Sequence, residues 1–254
     1  MSKLHPQLDN EWCNFRPNSS KTLLITFSPL KVERGKFFPF RSVNHLDYDI
    51  LRFNCPDSQW YVGGIPTTDR IGRSFEELLC DFIEQRSYEH VALFGGSKGG
   101  FAALDFGLRI PADTILATGA ETLFGTKRGF CHKYLDKDGI LRGQQRISEW
   151  PSLAAKSNAR IMMLYGGHGK IDLIFAAWAW KLLQREPIVL DCDHRVPVYL
   201  EKNVSIATVI KSVIETGGNN FISDNRIAFD FDANLNLAER QRAILEIPPI
   251  EKCG

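Results

Sequence analysis

The sequence predicts an α/β fold: a mostly parallel sheet of about six strands with helices on both faces, in a single domain spanning residues 1–254. Three observations carry this expectation. Short apolar runs rich in β-branched residues recur along the chain and alternate with stretches of helical periodicity. A glycine-rich turn, Gly95-Gly-Ser-Lys-Gly-Gly100, stands between one such run and a helical stretch. Hydrophobic residues make up 44% of the chain against 24% charged, enough to cover both faces of a sheet.

Residues 1–20 are polar, contain Pro6 and Pro17, and read as a loose lead-in. Thr22–Phe27 is the first predicted strand, closed by Ser28-Pro29-Leu30, and residues 48–53 are the second. Residues 54–68 hold two prolines and Gly63-Gly64 and read as a loop. Its Trp60 and Tyr61 either line a pocket or pack on the loop itself. Ser74-Phe-Glu-Glu77 is a capping box, and Phe75, Leu78, Leu79, Phe82 and Ile83 then follow at helical spacing. Residues 91–94 are the third strand, and a slim helix begins after the glycine turn. Thr114–Thr118, 160–165 and 187–190 complete the six, with a helix over 173–184 between the last two. Ile206, Val209, Ile210, Val213 and Ile214 form one helical stripe stopped by Gly217-Gly218. Residues 219–254 form a C-terminal extension with a strand at 227–231 and a helix at 238–245 ahead of Pro248-Pro249.

Composition narrows the function classes. A formal net charge of +1 gives no global attraction to nucleic acid or acidic membranes. No N-terminal stretch resembles a signal peptide, and no apolar run approaches membrane-spanning length. Cysteines 13, 55, 80, 131, 192 and 253 are scattered, with no Cys-x-x-Cys, as expected of reduced thiols in a cytoplasmic protein.

The chemistry centres on Gly95, Ser97 and Gly99, a Gly-x-Ser-x-Gly pattern in strand-turn-helix context, which is what a nucleophile elbow requires. Such a turn lifts the serine oxygen above the sheet edge and aims the backbone N–H of Lys98 at a developing oxyanion. A second N–H would come from the loop after the first strand. Pro29 cannot donate, which leaves Ser28 or Leu30. A serine hydroxyl needs an adjacent base held by a third group. His194, just after the last strand, is the strongest base and Asp172 the best acid. His168 is the rival base, and Asp191 and Asp193 are the rival acids. The Asp-x-Asp-His stretch is a poor metal site, so no metal and no cofactor are expected. Lys98 opposes the helix macrodipole, which suggests a nearby anion or a solvent-facing side chain.

Residues 121–157 break the strand–helix rhythm and read as a cap insertion over the site. Lys127, Arg128, His132, Lys133, Lys137, Arg142 and Arg146 there face Glu121, Asp136, Asp138 and Glu149. Lys127, Arg128, Arg142 and Arg146 are the expected contacts to an anionic portion of a substrate.

Residues 94–104, Phe-Gly-Gly-Ser-Lys-Gly-Gly-Phe-Ala-Ala-Leu, resemble a branch of the α/β-hydrolase superfamily whose elbow reads Gly-Ser-Ser-Lys-Gly-Gly. Thr26-Phe-Ser28 looks like the first strand and oxyanion loop of that branch, which includes a bacterial capsule polysaccharide O-acetyltransferase. The likeness is close over those eleven residues and organisational over 22–217, and Gly96 stands in place of a serine. The order Ser97, Asp172, His194 is also that of the superfamily. The resemblance implies a Ser97 nucleophile served by His194 and Asp172. The expected activity is a serine hydrolase of the esterase or deacylase type acting on a small ester or a glycan. The alternatives are an acyltransferase taking its acyl group from acetyl-CoA as co-substrate, and a non-catalytic scaffold.

Overall fold

The computed structural model describes residues 10–66, 74–218 and 220–244. Its strands are β1 (Cys13–Arg16), β2 (Thr22–Phe27), β3 (Asp49–Phe53), β4 (His90–Gly96), β5 (Thr114–Thr118), β6 (Arg160–Gly166) and β7 (Ile188–Leu190). They form one sheet in the order β1-β3-β2-β4-β5-β6-β7. Every pairing is parallel except β1 with β3, in which Cys13 opposes Phe53 and Arg16 opposes Ile50. The six predicted strands are therefore all present. The additional β1 falls inside the stretch expected to be a loose lead-in. Its four residues alternate buried Cys13 and Phe15 with half-buried Asn14 and Arg16, a period of two that half-buried edge strands show.

The helices, in order, are α1 (Phe40–Val43), α2 (Phe75–Arg86), α3 (Lys98–Gly107), α4 (Cys131–Tyr134), α5 (Lys137–Ser148), α6 (Trp150–Lys156), α7 (Lys170–Leu183), α8 (Val196–Asn203), α9 (Ile206–Thr216), α10 (Asn220–Asp224) and α11 (Phe231–Ile244). Strand alternation divides the core in two. Leu23, Ile25 and Phe27 of β2 pack with α2, α3, α6 and α7 on one face, while Leu24 packs with α8 and α9 on the other. The Ser74 capping box forms in full, and α9 ends at Gly217 with φ 79°.

The segment 121–157, expected as a cap, contributes Phe124, Cys131, Leu135, Ile147, Trp150 and Ala154 to the same core as the sheet. Trp150 stacks on Phe101 of α3 at 5.8 Å and donates Nε1–H to Asp105 at 3.0 Å. Much of the segment thus belongs to the helix layer beside α3. The expected strand at 227–231 is absent. Arg226 makes an isolated bridge to Leu190, Ile227 N–H donates to Val189 O at 2.8 Å, and α11 begins at Phe231. Residues 1–9, Thr67, Thr68, Leu245, Pro248, Pro249 and Cys253 lie outside the described residues.

Candidate active site

The site is built at the carboxyl ends of β4, β6 and β7. Ser97 follows β4 with φ 53° and ψ −117°, a conformation that costs a non-glycine residue of order 1–3 kcal/mol and survives only where its surroundings hold it. Two backbone bonds do so: Ser97 N–H donates to Thr118 O at 2.8 Å, and Phe101 N–H donates to Ser97 O at 3.1 Å. The turn also needs room. A Cβ on Gly99 would lie 2.1 Å from Phe27 O, so α3 can approach β2 only with glycine there. A Cβ on Gly96 would meet Pro197 at 3.0 Å and Thr118 Oγ1 at 3.1 Å, so any side chain there would need one of them to shift.

His194 lies just beyond β7. Its Nε2 is 3.1 Å from Ser97 Oγ and its Nδ1 is 2.7 Å from Asp172 Oδ1. Because the carboxylate only accepts, Nδ1 carries the hydrogen and Nε2 is left to accept from the serine hydroxyl. Asp172 is 1% exposed and sits in the first turn of α7, where the helix macrodipole favours negative charge. Burial of the His194 ring disfavours the imidazolium. The hydrogen bond and charge of Asp172, with Glu121 and Asp193 behind them, outweigh that and hold its pKa above the ordinary imidazole range.

The rivals are accounted for elsewhere. His168 pairs with Asp191 at 2.7 Å on the surface, and Asp193 holds Arg195 at 2.7 Å. The Asp-x-Asp-His stretch therefore presents its two acids to separate partners.

Three sequence expectations change. Ser28 N–H donates to Phe53 O at 2.9 Å, so it is engaged in the backbone and cannot face an oxyanion. Leu30 N–H and Lys98 N–H make no hydrogen bond among the described residues and are the two free donors. The Lys98 side chain neither faces solvent nor awaits an anion. It is wholly buried, and Nζ donates to Cys55 O at 2.7 Å and Asp57 Oδ1 at 3.0 Å. Arg146 is likewise not available to a substrate. Its guanidinium is held by the carboxylates of Asp105 on α3 and Glu76 on α2. Lys127, Arg128 and Arg142 are exposed.

No protein-family model and no curated protein sequence matches the chain. Solved structures do. The capsule O-acetyltransferase of Neisseria meningitidis serogroup A superposes with a TM-score of 0.57 at 15% identity, over 82% of this chain and 93% of that one. Its complex with caged gadolinium gives 0.56 at 16% identity over the same shares. Substrate-bound fluorophosphonate-binding serine hydrolase F of Staphylococcus aureus gives 0.50 at 14% identity, over 77% and 84%.

The chain has the α/β-hydrolase fold.

Within this α/β-hydrolase fold, two residues that sequence reasoning did not single out as part of the site shape its surroundings. Phe130 lays its ring 5.0 Å from the His194 ring, centroid to centroid. Glu121 sits just past the carboxyl end of β5 and accepts N–H bonds from Phe130 at 2.9 Å and Cys131 at 3.0 Å, which fixes that aromatic. Burial pushes the Glu121 carboxyl up to about 7, against the pull of those N–H bonds and of His194. A short polar segment with one acid gives no hint of such a role, because the partners are backbone groups nine and ten residues away. Trp60 and Tyr61 are both fully buried. Trp60 meets Phe124 at 6.3 Å, and Tyr61 donates its hydroxyl to Ser28 O at 3.1 Å and Phe53 O at 3.2 Å. The arrangement can move a proton from Ser97 Oγ to His194 Nε2 while Asp172 stabilises the resulting cation.

Proposed function

We propose that this chain is a serine hydrolase of the esterase or deacylase type, working through an acyl-enzyme on Ser97. The observation that carries the reading is the continuous path Ser97 Oγ–His194 Nε2 at 3.1 Å and His194 Nδ1–Asp172 Oδ1 at 2.7 Å. Ser97 Oγ attacks the ester carbonyl carbon as its proton passes to Nε2. The tetrahedral oxyanion takes hydrogen bonds from Lys98 N–H and Leu30 N–H. Collapse breaks the ester C–O bond, and the leaving alkoxide takes the proton from the imidazolium. Water then gives its proton to His194 and attacks the acyl carbon, and release of the acid restores the Ser97 hydroxyl.

A second reading is an acyltransferase, in which a hydroxyl acceptor replaces water in the second half. Lys127 and Arg128 favour it: both are exposed on the turn leading to Phe130, beside His194, where they would meet an anionic acyl-CoA donor or glycan. The capsule O-acetyltransferase neighbour has the same fold.

The test is fluorophosphonate labelling followed by product analysis. The wild-type chain is expected to take one label, mapped to the Ser97 peptide, and Ser97→Ala none. Continued labelling of Ser97→Ala at the site would remove the nucleophile assignment. With acetyl-CoA and a polysaccharide present, release of free acetate alone marks the hydrolase, and an acetylated acceptor marks the transferase.

A further inference from the structure

Resting on that reading, we propose that Asp57 is a positioning residue for oxyanion binding: it ties the loop carrying Leu30 N–H to the Lys98 side chain, so that the two backbone donors converge on one point.

The two donors come from distant parts of the chain. Lys98 begins α3, and Leu30 lies in the loop after β2. One carboxylate bridges them. Asp57 Oδ1 accepts from Lys98 Nζ at 3.0 Å, and its oxygens also accept Lys31 N–H at 3.1 and 3.3 Å. Lys31 is the residue next to Leu30, and its φ of 62° is left-handed, a conformation that a lysine holds only when its surroundings impose it. The Asp57 bond falls on that peptide. It holds the Leu30–Lys31 peptide plane, which is joined to the peptide carrying Leu30 N–H through the φ and ψ of Leu30 alone.

The remaining contacts agree. Tyr61 holds Ser28 O on the other side of Leu30, and Asn54 Nδ2 donates to Val32 O at 3.1 Å. The loop is thus pinned at both ends by residues 54–61, and Asp57 is the member of that set whose carboxylate both accepts from the loop backbone and pairs with the elbow-helix lysine. Lys98 has no other charged partner among the described residues. A buried ammonium is tolerated only when paired and hydrogen-bonded. Cys55 O, Asp57 and the face of Tyr61, 5.3 Å from Nζ, together meet that requirement. The lysine therefore works as a buried peg, and its cation serves the carboxylate that orients the loop.

An interaction that only holds the loop up would affect folding and substrate binding. One that aims a donor at the oxyanion acts in the transition state alone, lowering kcat and leaving KM in place. The test uses the full chain with p-nitrophenyl acetate as probe, fluorophosphonate titration to count competent sites, and melting temperature as a control. Per titrated site, Asp57→Ala is expected to lower kcat about 10- to 100-fold with KM within about twofold, less than or equal to the loss of one oxyanion donor. Asp57→Asn, whose amide oxygen still accepts from Lys31 N–H, should lose less. Leu30→Pro deletes the donor outright, so adding Asp57→Ala to it should cost less than about threefold more. Phenylboronic acid, which forms a tetrahedral adduct on the serine, should weaken in parallel with kcat/KM. Unchanged kcat in both Asp57 variants, or losses that multiply in the double variant, would overturn the proposal. If Asp57→Ala does not fold, the kcat and boronate readings of Asp57→Asn decide it in the same way. Failure of the wild type to label, or activity retained in Ser97→Ala, would instead overturn the hydrolase reading on which this rests.

Discussion

At His194 burial and charge pull in opposite directions, and charge prevails. In the proposed reaction His194 must be neutral to accept the Ser97 proton. Hydrolysis is therefore expected to be low at acid pH and to rise through an apparent pKa above the ordinary value of about 6.5. The same raised pKa contributes stability that is fully present below about pH 6.5 and lost as pH rises through the folded value. Asp172→Asn should lower kcat/KM by roughly three to four orders of magnitude and move the pH profile downward, whereas Asp191→Asn should leave both in place. A pH–rate series on the three proteins checks the pair. Equal losses for the two variants would reassign the acid. Much of this was legible at the residue scale. Ser97, His194 and Asp172 each follow a strand, chain order ranked His194 over His168, and the sequence closeness of Asp191 to His194 ranked Asp172 over it. The choice between Ser28 and Leu30 was not, because it turns on a carbonyl of β3 that takes up the Ser28 N–H.

Among the elements, local rules read well and distant pairings did not. The Ser74 box and the Gly217 stop involve neighbours within four residues and appear as expected. The charges of 121–157 look like a solvated face in sequence, yet Arg146 of α5 reaches Asp105 of α3, 41 positions away. Asp105 has no exposed side-chain surface and also holds Arg109 and Trp150. Burial works against the Arg146 charge, but Asp105 and Glu76 override it and raise its pKa. Breaking a buried pair from one side leaves the other charge uncompensated, at about 3–5 kcal/mol. Arg146→Ala should approach the lower end, since Arg109 remains, and thermal or urea unfolding measures it. Turnover of a small neutral ester per folded molecule should stay unchanged. A large loss of turnover with normal stability would return Arg146 to the substrate-binding set beside Lys127, Arg128 and Arg142. The strand β1 escaped for a related reason: four alternating residues are too brief a signal, and the partner β3 lies more than thirty positions on.

For the molecule as a whole, the alternation of apolar strands with helices made the sheet and its carboxyl edge legible, and with them the region where the site assembles. The rims of the sheet were not, because nothing in a strand's composition says which neighbour it lacks. One rim bears on function. β7 has three residues, is paired among the described residues along its length only with β6, and is padded on its outer side by Arg226 and Ile227. β4 is flanked by β2 and β5. Ser97 thus hangs from an interior strand and His194 from a peripheral one. Sub-global openings begin where backbone bonds are few. Amides of residues 188–194 should therefore exchange hydrogen faster than those of β4 and β5, and ester hydrolysis should fade several degrees below the cooperative melting transition, returning on cooling. Coincidence of the two temperatures would contradict this. On the proposed reading Ser97 and His194 then belong to different cooperative units, and heating would silence hydrolysis reversibly before the chain denatures.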